Sequence, residues 1–254
     1  MRTTAFTPLS DASQRSAGVI GVLGGMGPAA TIDFMHKVLA ATPAERDQDH
    51  VPLVVSSVPQ IPDRSAAFRG AGASPLAAMV ASGRRLVDAG AGLVVIPCNT
   101  AHLWFADVQA ALGVPMLHLI DAALAAAHAV VGPQAHLGLI CTEATLASGL
   151  YRERAPLVRW VEPSAAEMRG WVMPGIAAVK AGARERAAQL LRRAADALAQ
   201  RGAQALLLGC TEVPLVLART NSPLPVIDAT AALAQRAVAW SLSQRQSVAQ
   251  LSPG

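Results

Sequence analysis

The chain has 254 residues, of which 52% are hydrophobic and only 15% charged, with a net charge of +4. That length holds one large core or two modest α/β domains. The low charged share predicts extensive burial, including an oligomer interface. The basic residues are scattered and aromatics are few (four Phe, four Trp, one Tyr), which speaks against nucleic-acid binding. No apolar run reaches membrane length, and residues 1–16 lack the apolar core of a signal peptide. A cytoplasmic chain with a flexible leader is therefore expected, with no membrane partner. Three widely spaced cysteines do not form a disulfide framework.

In chain order, AGVIGVLGGMG (17–27) reads as a buried strand ending in a glycine turn, and Pro28 opens a helix to about Ala41. Residues 50–58 are a second buried strand. Residues 59–72, with prolines, charges and glycines, read as a loop. Ser74 and Pro75 open a helix to about Ala89, and residues 93–97 form a third strand. The pattern then restarts. Residues 135–141 are a strand, 143–154 a helix, 157–161 a short strand, 184–200 an amphipathic helix and 205–209 a strand.

The two halves align without gaps when Cys98 is set over Cys210. AGAGLVVIPCNTAH (89–102) lies over RGAQALLLGCTEVP (201–214), and VIGVLGG (19–25) resembles HLGLICT (136–142). We read a diverged duplication of a βαβαβ unit. The predicted fold is therefore α/β, two pseudo-symmetric Rossmann-like parallel-sheet domains. Ligands bind beyond the carboxyl ends of such strands, where both cysteines fall, so the active site is expected in the interdomain cleft.

One cysteine in such a place is ordinary core packing. Two at equivalent positions point to chemistry. Inverting a carbon centre requires removing a proton from one face and delivering another to the opposite face. A thiolate and a thiol on opposed domains meet that requirement. A helix beginning near Ala101 would help ionise Cys98, and Cys210 has a similar setting. Asn99, Thr100 and Thr211 beside the cysteines are either helix caps or a carboxylate cradle, and the two roles are compatible. Glu212 orients Cys210, caps a helix or faces solvent.

The spacing of Gly25, Gly27 and Ala30 fits a dinucleotide turn, but no acidic residue ends the second strand and no P-loop lysine follows. The segment reads as a tight turn beside a small ligand. On composition alone, Arg64 and Lys180 are solvated loop charges. Cys141 aligns with Gly24 and reads as a structural thiol. His102 lies within reach of Cys98. No His, Cys, Asp or Glu spacing fits a metal site, so no metal is expected.

Taken together, GGMGPAATIDF (24–34), IPDR (61–64), IPCNTAH (96–102), GLICTEATLASGLYR (138–152), VKAG (179–182) and LLLGCTE (206–212) resemble the aspartate/glutamate racemase superfamily, and within it the cofactor-independent aspartate racemase branch. The resemblance spans about residues 19–228. It implies an isomerase, a PLP-independent amino-acid racemase with no cofactor and a small acidic amino acid as substrate. It implies Cys98 and Cys210 as the two proton carriers. Asn99, Thr100 and Thr211 would hold the α-carboxylate, Arg64 and Lys180 the side-chain carboxylate, and Met26, Thr142 and Thr145 would line the cleft. A homodimer is also implied. So is a division into residues 17–120 plus 228–245 as the first domain and 121–227 as the second, with 1–16 and 246–254 as flexible tails.

Glutamate racemases of this superfamily carry CTH and a DSG-type first turn, where this chain has CTE (210–212) and GGMGP (24–28). The alternatives kept open are a glutamate or broad-specificity racemase, a hydantoin racemase or maleate isomerase-like enzyme, and a non-enzymatic protein that binds acidic small molecules.

Overall fold

A computed structural model describes residues 18–251. The expected leader, residues 1–16, lies outside the described residues, as does 252–254.

The first half holds β1 (Ile20–Gly24), α1 (Pro28–Ala41), β2 (Leu53–Ser57), α2 (Arg64–Phe68), α3 (Leu76–Asp88), β3 (Leu93–Val95), α4 (Phe105–Leu112) and β4 (Met116–Leu117). Helix α5 (Leu119–Val131) leads into the second half. There follow β5 (His136–Cys141), α6 (Glu143–Ala147), α7 (Leu150–Arg154), β6 (Arg159–Val161), α8 (Met173–Lys180), α9 (Arg184–Gln200), β7 (Ala205–Gly209) and β8 (Val226–Asp228). The last helix, α10 (Ala229–Leu251), continues beyond residue 245, so residues 246–251 are helical where a tail was expected.

The strands form two four-stranded sheets, ordered β2-β1-β3-β4 and β6-β5-β7-β8, with every pairing parallel. The same order in both halves is what a duplicated unit produces. Gly90 and Gly202, equivalent in the sequence alignment, share left-handed φ values of 93° and 88°.

Strand alternation sorts the side chains into three cores. Leu93 and Val95 of β3, and Ala205 and Leu207 of β7, face a central core shared by both sheets, α5 and α10. On the opposite face of β3, Val94, Ile96 and Cys98 pack under α3 and α4. On the opposite face of β7, Leu206, Leu208 and Cys210 pack under α8 and α9. The cysteines are thus the last members of equivalent side-chain rows. The central core makes the two halves one packed body, and α10 lies against α1 and α5. The expected boundary at residue 120 falls within α5.

Two local expectations change. The segment 59–72 is not all loop, because Asp63 caps α2 through its side chain and Ala66 N. The helix expected over 143–154 is broken in two by Gly149, whose φ of 73° is the left-handed conformation that favours glycine. No described helix is long and apolar enough to cross a membrane.

Candidate active site

The strand ends converge on one narrow cleft with a cavity volume of about 20 Å³. Met26, Arg64, Cys98, Asn99 and Thr100 line it from the first half, and Thr142, Lys180, Cys210 and Thr211 from the second. Asp63 and Ser65, not expected there, line it as well, as does Glu212, whose place the sequence left open. Thr145 is held just behind. Its hydroxyl lies 2.8 Å from that of Thr100 and 3.0 Å from that of Thr142, while Thr100 and Thr142 are 3.1 Å apart. This triangle of hydroxyls ties the halves together at the cleft wall.

Cys98 and Cys210 are 7% and 4% exposed, and neither is in a disulfide. Each is followed by a 3-10 turn, Thr100–Trp104 and Val213–Leu215, rather than by an α-helix. The expected helix-start ionisation is accordingly outweighed. Burial pushes the Cys98 thiol up, and Glu212 adds to the rise, against the Arg64 guanidinium, the Ala101 N–H and Lys180. Cys210 is pushed up in the same way. Burial acts first, then the Glu212 carboxylate, against the Glu212 N–H and Lys180. Burial thus favours the thiol over the thiolate at both cysteines.

Glu212 is 5% exposed. Its Oε2 accepts from Cys210 Sγ at 3.1 Å and from the Thr211 hydroxyl at 3.2 Å. This settles the choice left open by the sequence in favour of contact with Cys210. A Cβ on Gly27 would come to 3.4 Å from Glu212 Oε1, so the glycine turn leaves room for this carboxylate.

That turn is itself clamped. Thr31 Oγ1 accepts from Gly25 N at 2.8 Å and donates to Gly27 O at 3.0 Å. Gly25 has φ of 88°, and a Cβ there would lie 2.3 Å from Val58 N. Only glycine lets β1 turn this close to the end of β2. The turn serves the cleft, and Met26 within it is 3% exposed.

Asn99 is 2% exposed, and its Nδ2 has no protein partner. The amide is oriented by Tyr151, whose hydroxyl donates to Asn99 Oδ1. An uncompensated buried amide donor is costly unless a ligand accepts from it. Arg64 is half-buried at the start of α2 and donates through Nη1 to Ile61 O and Pro62 O, each at 3.0 Å, leaving Nε without a partner. Lys180 ends α8 and is exposed at the cleft mouth.

His102 does not reach the Cys98 thiol. Its Nε2 accepts from Leu119 N at 3.0 Å, so Nδ1 carries the proton and donates to Cys98 O at 2.9 Å. Burial and His118 depress its pKa to about 3, so it is a neutral tie behind the cysteine. Cys141 is fully buried in the central core and lines no part of the cleft. Tyr151 and Thr31 were missed in the sequence. The Gly-rich turn, which needs a polar side chain to hold it, was the signal that could have found Thr31; nothing local singled out Tyr151.

Comparison with known proteins decides the family. The Asp/Glu/Hydantoin racemase family model matches residues 23–237. The chain belongs to this family. It is an isomerase, an amino-acid racemase. This racemase is 27% identical over 234 residues to the broad specificity amino-acid racemase RacX of Bacillus subtilis (strain 168), covering 89% of this chain and 99% of RacX. It is 28% identical over 250 residues to the glutamate racemase of Deinococcus radiodurans, covering 92% of this chain and 79% of that one. Among solved structures, the Picrophilus torridus aspartate racemase matches with a TM-score of 0.80 and 32% identity, over 88% of this chain and 94% of that chain.

Proposed function

We propose that this racemase inverts aspartate, or an acidic amino acid of similar size, by a two-base reaction that uses Cys98 and Cys210 and no cofactor. The observation that carries the proposal is the pair of cysteines ending equivalent side-chain rows in two duplicated halves and lining one cleft. The likeness to an aspartate racemase at 32% identity supports the substrate.

In the proposed reaction the thiolate of one cysteine takes the α-proton. The C–H bond breaks as the S–H bond forms, and the electron pair moves into the α-carboxylate. The other thiol then delivers its proton to the opposite face and is left as thiolate. Asn99 Nδ2 and the Thr100 hydroxyl donate to that carboxylate, where charge develops in the transition state, and Thr211, whose hydroxyl proton goes to Glu212, lines the carboxylate site. Arg64 and Lys180 hold the distal carboxylate, and Met26, Thr142 and Thr145 shape the walls. Both cations also favour ionisation of Cys98, so substrate entry and base formation compete for the same positive charge. We expect the enzyme to act as a cytoplasmic homodimer. Light scattering on the purified protein reports the assembly.

Incubation with D- or L-aspartate in heavy water is expected to give deuterium at the α-carbon from either enantiomer. No exchange from either overturns the aspartate assignment. Loss of exchange in both Cys98→Ala and Cys210→Ala supports the two-base scheme, and full retention in either defeats it.

The near full-length relation to RacX favours a second reading, broad side-chain specificity. Comparable rates on aspartate and on neutral amino acids, followed by circular dichroism, would select it.

A further inference from the structure

The two halves carry matching cysteines but unmatched partners. Cys210 donates to the Glu212 carboxylate at 3.1 Å, whereas the position two residues beyond Cys98 is Thr100, whose hydroxyl is engaged with Thr142 and Thr145. Glu212 Oε2 also accepts from Thr211 at 3.2 Å, which fixes the carboxylate beside the sulfur. On the other side, Arg64 lines the same cleft as Cys98, and its charge and the Ala101 backbone N–H both favour the Cys98 thiolate.

From this asymmetry we infer that Glu212 is a positioning residue that keeps Cys210 as the thiol and assigns the first thiolate of the free enzyme to Cys98. The inference deepens the two-cysteine reading and rests on it. A Cys210 thiolate would lose its bond to Glu212 and face a like charge at hydrogen-bond distance, while a Cys98 thiolate shares the cleft with the Arg64 guanidinium, whose charge favours it. The charged groups around the pair are Glu212 from the loop after β7, Lys180 from α8, and Asp63 and Arg64 at the start of α2. Asp63 is turned toward its own helix through Ala66 N. Behind Cys98, His102 stays neutral. Lys180 and the Glu212 charge act on both sulfurs, so the hydrogen bond from Cys210 to Glu212 and the Arg64 charge near Cys98 set the difference.

The consequence for catalysis is directional. Of the two singly ionised forms of the free enzyme, the one with Cys98 as thiolate predominates, and it accepts the enantiomer whose α-hydrogen faces Cys98. Because enantiomers have equal free energy, kcat/KM must be the same for both. The asymmetry therefore appears as kcat and KM differing in the same proportion.

The test needs no substrate. Thiolate absorbance near 240 nm is titrated in full-length Cys98→Ala and Cys210→Ala proteins. Cys98, read in Cys210→Ala, is expected to ionise at least about one pH unit below Cys210, read in Cys98→Ala. Adding Glu212→Gln to Cys98→Ala should bring the Cys210 midpoint down by a similar amount, and Glu212→Asp should restore part of the gap. In otherwise unaltered enzyme, Glu212→Gln should draw the KM values of the two enantiomers together. Equal midpoints, a lower midpoint for Cys210, or a gap that survives Glu212→Gln in protein with native circular dichroism would overturn the inference. Racemisation is measured separately. Exchange without a midpoint gap sinks this inference alone, and a gap without exchange from any acidic amino acid sinks the acidic-substrate reading alone.

Discussion

Tyr151, from the second half, donates its hydroxyl to Oδ1 of Asn99, from the first. The bond crosses the seam between the duplicated units and leaves the Asn99 Nδ2 as the unpaired end of the amide. Tyr151 is itself fully buried, and burial raises its pKa well above the ordinary range, so it remains a donor throughout the working pH range.

Tyr151→Phe removes that donor and frees the Asn99 amide to rotate. We expect KM for aspartate to rise roughly 5- to 30-fold, which corresponds to about 1–2 kcal/mol of misdirected hydrogen bonding, with a smaller change in kcat. Stability should fall by roughly 1–3 kcal/mol because Oδ1 is left buried without a partner. Steady-state kinetics and urea unfolding measure the two effects. An unchanged KM would show that Asn99 does not contact substrate.

Arg64→Ala and Lys180→Ala should weaken aspartate more than alanine. A charge-assisted hydrogen bond lost from a carboxylate is worth roughly 1.5–3 kcal/mol, or about 10- to 150-fold in KM. Arg64 should give the larger loss, since it is half-buried and Lys180 is exposed. Equal losses on aspartate and alanine would mean that neither cation reads the distal carboxylate.

His102 controls part of the acid limb of stability. Its pKa in the folded protein is about 3, against about 6.5 for an unperturbed imidazole. Between these values the unfolded chain binds a proton that the folded protein does not. Stability therefore falls as pH drops from about 6.5 toward 3, by up to about 1.4 kcal/mol per pH unit for this residue. His118, depressed to about 4 by burial and by Arg154, adds in the same direction. His102→Gln should flatten the limb in urea denaturation between pH 6.5 and 4, at some cost in stability at pH 8. A limb of unchanged slope would rule out His102 as its source.

Cys141→Ala should leave racemisation intact and cost about 1 kcal/mol of core packing. Burial pushes this thiol far up, so iodoacetamide should label it only in denaturant. Loss of activity with native stability would bring Cys141 into the chemistry.

Much of the architecture was legible because strand and helix periodicity is local. The glycine turn after β1, the amphipathic α9 and the apolar row before Cys210 each declare themselves within about ten residues. The short α2 was hidden among prolines and glycines, since its cap, Asp63, stabilises only one turn and a half. The break at Gly149 was hidden as well, because one glycine inside a helical pattern does not reveal that its φ is positive. The cysteine pair was legible through the internal repeat. The ionisation of that pair was not, because burial from both halves outweighs the short turns that follow each sulfur.

The sequence by itself determined the duplicated α/β plan, the matched placement of Cys98 and Cys210, and the residue types available around them. Only the tertiary structure decided that Glu212 turns inward onto Cys210, that Tyr151 orients Asn99, that Thr100, Thr142 and Thr145 close a triangle, and that His102 serves the backbone and not the thiol. The physical reason is reach. Backbone periodicity and turn chemistry act over a few residues, whereas the hydrogen bonds that differentiate two equivalent cysteines join side chains brought together only when the two halves close over a shared core.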